Sequence, residues 1–105
     1  MGWTFLTNHG HVLLCVARDP QLRLRDIADC VGITERATHR IVTELEEAGY
    51  LTRHREGARN HYEVHPEVPL RHPNLEDRPI GELLSLLLED PRRTVPSERE
   101  AGPSR

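Results

Sequence analysis

The sequence predicts a mainly α protein with one small β-hairpin and a further helix after it. Three observations point there. Apolar residues recur at three- and four-residue spacing in four separate stretches. Two short runs flank a glycine-containing connection, which is a hairpin signal. Capping residues, glycines and prolines fall at the boundaries of these stretches. The length of 105 residues suits one domain, and 36% hydrophobic against 30% charged residues allows a modest core under a large solvated surface.

Trp3, Phe5 and Leu6 form a short apolar lead-in. Thr7 or Asn8 can cap a first helix to about Arg18, with Val12, Leu13, Val16 and Ala17 on one face, and Asp19-Pro20 stops it. A second helix is expected over residues 24–30, pointing Leu24, Ile27, Ala28 and Val31 inward, and Gly32 can supply the left-handed residue of its end. Thr34 caps a third helix over residues 35–48, whose buried stripe is Ala37, Ile41, Leu45 and Ala48 with Val42 beside it. Gly49 closes it. Residues 50–55 and 61–65 are two strands joined by residues 56–60. Pro66, Pro69, Pro73 and Pro79 make the next stretch an ordered but irregular crossing. A fourth helix over residues 80–89 ends at Asp90-Pro91. Residues 91–105 form a polar tail expected to be flexible.

Charge narrows the function classes. All 14 basic residues are arginine, so every cationic contact would be a guanidinium. A formal net charge of −3 counts against strong nonspecific nucleic-acid binding, although the distribution matters more than the sum. No run approaches the ~20 apolar residues of a membrane span, and Met1-Gly2-Trp3-Thr4 lacks signal-peptide features. A cytoplasmic location is the expectation.

Residues 24–45 carry the functional signal. Ala28 lets two helices approach closely, Gly32 permits a sharp turn, and Ile33 plugs the corner. Thr34 caps the next helix and leaves its first N–H groups available to a phosphate. Ala37, Ile41 and Leu45 hold that helix on the core, so Glu35, Arg36, His39, Arg40 and Thr43 form its outer face. Such a helix fits a major groove.

These residues resemble the winged helix-turn-helix regulators, especially the MarR and ArsR types. Ile33-Thr34-Glu35-Arg36-Ala37-Thr38-His39-Arg40-Ile41-Val42 is similar to their recognition helix, and Leu45-Glu46-Glu47-Ala48-Gly49-Tyr50-Leu51 to their exit into the wing. The likeness runs over about residues 11–66. It implies sequence-specific binding of double-stranded DNA, with the wing along the backbone or in the minor groove. There are two departures. Thr38 stands where such helices usually bury an aliphatic residue, so its hydroxyl needs a local acceptor or a marginal position. The chain is also shorter than a typical MarR protein and nearer ArsR in size.

The candidate DNA-binding residues are therefore Arg23, Arg25, Thr34, Glu35, Arg36, Thr38, His39, Arg40, Thr43, Arg53, Arg55, Arg59 and Asn60. Arginines and acids balance between Arg18 and Arg59, but Glu44, Glu46 and Glu47 gather late in the third helix, away from its reading end. The bland alternative is an ordinary amphipathic helix whose charges solvate it. Two further readings stay open: a winged-helix protein-interaction module without DNA affinity, and a metal- or thiol-responsive regulator.

Seven histidines and two cysteines invite a metal reading. His11 and Cys15 share a helix face, and His61 and His65 share a strand face. No closed ligand spacing appears, so no metal or other cofactor is expected, and Cys15 and Cys30 are expected to be core residues. No phosphate loop, HExxH motif or nucleophile elbow is present, which speaks against an enzyme. Ile80, Leu83, Leu84 and Leu87 form one stripe of the fourth helix, widened by Leu86 and Leu88, and together they exceed what a small core requires. A homodimer joined through Ile80, Leu83, Leu84, Leu87 and Leu88 is the expected remedy, the alternative being that the helix folds over helix one and over Trp3 and Phe5. The expected division is residues 1–70 as the DNA-binding domain, 71–90 as the crossing and dimerisation helix, and 91–105 as the tail. No effector is legible.

Overall fold

The computed structural model describes residues 3–88. In chain order these form α1 (Asn8–Arg18), α2 (Leu24–Val31), α3 (Glu35–Glu47), β1 (Leu51–Glu56), β2 (Arg59–Val64), a short 3-10 turn (Pro73–Leu75) and α4 (Ile80–Leu88). The strands pair antiparallel, giving the mainly α fold with one hairpin and a final helix. The expected tail, residues 91–105, and Glu89 at the expected end of α4 lie outside the described residues.

Local chemistry sets the helix ends. The Thr7 hydroxyl accepts from the Gly10 N–H at 3.2 Å, and the Thr34 hydroxyl accepts from the Ala37 N–H at 3.0 Å. α2 ends on Gly32 at φ 88°, a left-handed conformation that glycine adopts without a Cβ penalty. The Gly32 and Ile33 N–H groups both donate to Ala28 O, at 2.8 and 3.1 Å, closing the turn into α3.

Val12 and Val16 of α1, Ile27 of α2, and Ile41 and Val42 of α3 meet in the centre, each at most 2% exposed. Burying each aliphatic side chain contributes about 1.5–3 kcal/mol. The hairpin closes one side of this core with Leu51 and Tyr62. The connection between α1 and α2 runs beside β2, where the Tyr62 N–H donates to Pro20 O at 2.9 Å.

The hairpin is tighter than the sequence predicts. Glu56 pairs with Arg59, leaving only Gly57 and Ala58 in the turn. Gly57 at φ 63° makes this two-residue connection possible, so Arg59 and Asn60 belong to β2 and not to a five-residue loop.

The proline-rich crossing is irregular but hydrogen-bonded. Leu70 N–H donates to Arg78 O at 2.9 Å, and Ile80 N–H donates to Val68 O at 2.8 Å. The buried Tyr50 hydroxyl donates to Pro69 O. Gly81 N–H donates to Pro66 O at 2.8 Å, an approach so close that a Cβ on Gly81 would stand 2.6 Å from Pro66 Cβ.

This path delivers α4 onto α1, with a consequence for the expected subunit contact. Ile80 and Leu84 are buried in the chain's own core, so neither is available to a second subunit. Leu83 and Leu88 are half-buried, and Leu87 is exposed. The reason is geometric: α4 is short, and one of its faces completes the core that α1 leaves open. Trp3 and Phe5, 76% and 92% exposed, pack edge to face on each other at 4.9 Å and take no part in that core. Among the described residues, no helix is long and apolar enough to cross a membrane.

Candidate nucleic-acid interface

α3 buries Thr38, Ile41, Val42 and Leu45, which turns the opposite side outward. Glu35, Arg36, His39 and Arg40 are exposed there, Thr34 is exposed at the cap, and Thr43 is half-buried. Among the described residues, no carboxylate forms an ion pair with Arg25, Arg36 or Arg40. Ala37 N–H and Thr38 N–H are taken up by the Thr34 hydroxyl and carbonyl, whereas Glu35 N–H and Arg36 N–H have no acceptor within the helix, and the positive end of the helix dipole lies beside them. Glu35 opposes an anion at this same end.

Thr38 departs from the expected contact set. It is 0% exposed, and its hydroxyl donates to Thr34 O at 2.9 Å. The local acceptor exists, so the side chain sits in the core and has no surface to offer DNA.

Arg23 and Arg25 flank the start of α2. Arg23 is engaged: Asp26 accepts from its Nε at 3.1 Å and from its backbone N–H at 3.3 Å. The Arg23 guanidinium holds the Asp26 carboxyl below its ordinary range.

The wing arginines divide. Arg53 is half-buried, and its Nη2 donates to Glu46 Oε1 at 3.1 Å, tying β1 to the end of α3. That guanidinium holds the wing in place. Arg55 and Arg59 are exposed and reach only backbone oxygens, Gly57 O at 3.2 Å and Gln21 O at 3.0 Å. A guanidinium has five N–H donors, so both keep most of their capacity. Asn60 is half-buried. A cleft of about 790 Å³ separates the wing from the start of α2, with Arg23, Asp26, Glu35, Arg59 and Asn60 among its walls.

Two arrangements escaped the sequence reading. His54 pairs across the hairpin with His61, ring centroids 6.2 Å apart, and His54 Nε2 lies 3.0 Å from Glu63 Oε1. The hydrogen bond with His54 holds the Glu63 carboxyl below its ordinary range. Only the register of the two-residue turn brings these side chains together. Among the described residues, no group of three or more His, Cys, Asp or Glu side chains is placed to hold a metal ion.

The second is the pair of thiols. Cys15 Sγ and Cys30 Sγ lie 2.9 Å apart, joining α1 to α2 across 15 residues of sequence. Cys15 is a core residue as expected, and burial pushes its thiol up to about 11. Cys30 is exposed, which corrects the expectation of two core thiols. It occupies the last turn of α2, whose inward positions are Ile27 and Ala28.

A sequence profile of the MarR family matches residues 4–59, more than half of the chain. No curated protein matches. Among solved structures, the crystal structure of MepR, a transcription regulator of the Staphylococcus aureus multidrug efflux pump MepA, superposes with a TM-score of 0.51 at 16% identity. The superposition covers 90% of this chain and 65% of that one, so the chain spans less than two thirds of its neighbour's length. Identity this low shows a shared fold, and the profile match adds the lineage. The chain belongs to the MarR family.

Proposed function

We propose that this chain is a sequence-specific double-stranded DNA-binding regulator that acts as a homodimer in the cytoplasm. The observation that carries the reading is the outer face of α3. Arg36 and Arg40 flank His39 there, with no carboxylate partner among the described residues. Laid in a major groove, Arg36, His39, Arg40 and Thr43 would face base edges, and Thr34 and Arg25 would face phosphate. Arg55 and Arg59 would grip the flanking backbone or a narrow minor groove. Thr38 and Arg53 contribute by holding the helix and the wing, not by touching DNA.

Exposed apolar surface supports a second subunit. Leu86 is 68% exposed and Leu87 40%, and Phe5 and Leu83 border one groove. Residues 1–70 would then carry the DNA contacts, and 71–90 the crossing and the subunit contact. Two-fold symmetry would place two α3 helices in successive major grooves.

The test is selection from a randomised duplex pool with purified protein, followed by affinity measurements on the enriched site. Arg36→Ala and His39→Ala are expected to relax base preference, costing about 1–3 kcal/mol of discrimination at the affected positions. Arg55→Ala should weaken all sequences alike and lessen the salt dependence. Failure to enrich any site, with the protein folded, would sink the DNA reading and favour a protein-interaction role.

A further inference from the structure

We propose that Cys15 and Cys30 are an oxidisable dithiol that closes to a reversible intrachain disulfide under hydroperoxides, cross-linking α1 to α2. Three observations carry this. The sulfurs stand 2.9 Å apart, about 0.9 Å beyond the ~2.05 Å of a disulfide, so a small side-chain rotation would join them. One residue lies at the surface and the other is enclosed: Cys30 is exposed, whereas Cys15 is 5% exposed. The helices that carry them are held together by Val16 and Ile27, both 0% exposed, so the approach belongs to the core and not to a loop. Among the described residues no third ligand stands with the pair, which separates it from a metal site.

The asymmetry assigns the steps. The Cys30 thiolate attacks the outer oxygen of a hydroperoxide. The O–O bond breaks, the alkoxide leaves and takes a proton as the alcohol, and Cys30 becomes a sulfenic acid. Cys15 then attacks the Cys30 sulfur, the S–O bond breaks, and hydroxide leaves with the Cys15 proton as water. Two thiols and one hydroperoxide thus give one disulfide, one alcohol and one water. Burial favours the neutral form of the Cys15 thiol, which suits it to the second step rather than the first. Arg18, close enough to favour the Cys15 thiolate, assists as that proton leaves. The product would fasten the last turn of α2, two residues before Gly32 turns the chain into α3.

The chain has two cysteines, so an intrachain disulfide in it can only be this pair. The test is to treat the reduced full-length protein with one equivalent of cumene hydroperoxide, alkylate it without denaturation and again after unfolding, and record the intact mass. The expected result is loss of both alkylatable thiols, a monomeric species on a non-reducing gel, and recovery of both thiols with dithiothreitol. The melting temperature of the oxidised form should rise by about 5 °C or more. Cys30→Ser, at an exposed position, should keep the fold and leave Cys15 unoxidised under the same treatment. Two thiols still alkylated, a disulfide-linked dimer, or a sulfinic acid on Cys30 would each overturn the proposal. No DNA enters the experiment, so its failure leaves the regulator reading untouched.

Discussion

Thr38 shows how one hydroxyl can be mistaken for a contact. Helical spacing places it beside Ile41 and Val42, while its chemistry points to a polar surface. The core position prevails because Thr34 O lies one turn back and satisfies the hydroxyl at 2.9 Å. Thr34 O also accepts from the Thr38 backbone N–H at 3.0 Å, so removing the hydroxyl leaves no orphaned carbonyl. Thr38→Val should therefore change stability by less than about 1 kcal/mol and leave DNA affinity intact, as read by urea unfolding and duplex titration. A many-fold loss of affinity in a folded T38V protein would restore Thr38 as a contact.

Cys15 makes a second residue-level expectation. Burial pushes its thiol from an ordinary value of 9.0 up to about 11 in the fold. Between those values the native state holds a proton that the unfolded state has lost, so stability falls as pH rises through that window. Burial raises Tyr50 as well, and its contribution has the same sign. Urea midpoints followed from neutral pH to about 11 should decline, and Cys15→Ala should flatten part of the decline. An unchanged slope in C15A would show that the thiol's burial is not its source.

Among the elements, the hairpin and the crossing show how backbone geometry outranks composition. Counting residues between two apolar runs allowed a five-residue loop, but Gly57 at φ 63° lets the strands run on until Glu56 faces Arg59. That extension sets which side chains meet, and so creates the His54–His61 and His54–Glu63 neighbours. The crossing turns on Gly81, which read in sequence as an unremarked residue near the start of a helix. Its hydrogen atom sits where a methyl group would strike Pro66 Cβ at 2.6 Å and Pro66 O at 2.9 Å. Gly81→Ala should cost about 1–3 kcal/mol by forcing α4 away from the crossing, measurable by thermal or urea unfolding. A stability equal to wild type would mean that the crossing yields easily.

The molecule as a whole divides α4 between two tasks. Its inner side completes the core with Ile80 and Leu84, and its outer side leaves Leu86 and Leu87 exposed. A glutamate pair, Leu86→Glu with Leu87→Glu, should abolish self-association in sedimentation while preserving helical circular dichroism, because neither side chain is buried in the monomer. A wild-type protein that sediments as a monomer at all concentrations would remove the dimer from the proposal.

Periodicity, caps and turn residues were enough to place α1 to α4 within a residue or two and to set Arg36, His39 and Arg40 on the outer side of α3. These are local properties: a 3.6-residue repeat and a threonine before it act within one or two turns of chain. The fates of Arg53, Cys30 and Ile80 were not legible in the same way. Each depends on a partner distant in sequence, or on which side of an element the core happens to cover. Glu46 engages Arg53, Cys15 meets Cys30, and α1 covers Ile80 and Leu84. Such pairings arise only when packing brings remote segments together, because the short range of hydrogen bonds and apolar contacts gives the linear chain no means to announce them.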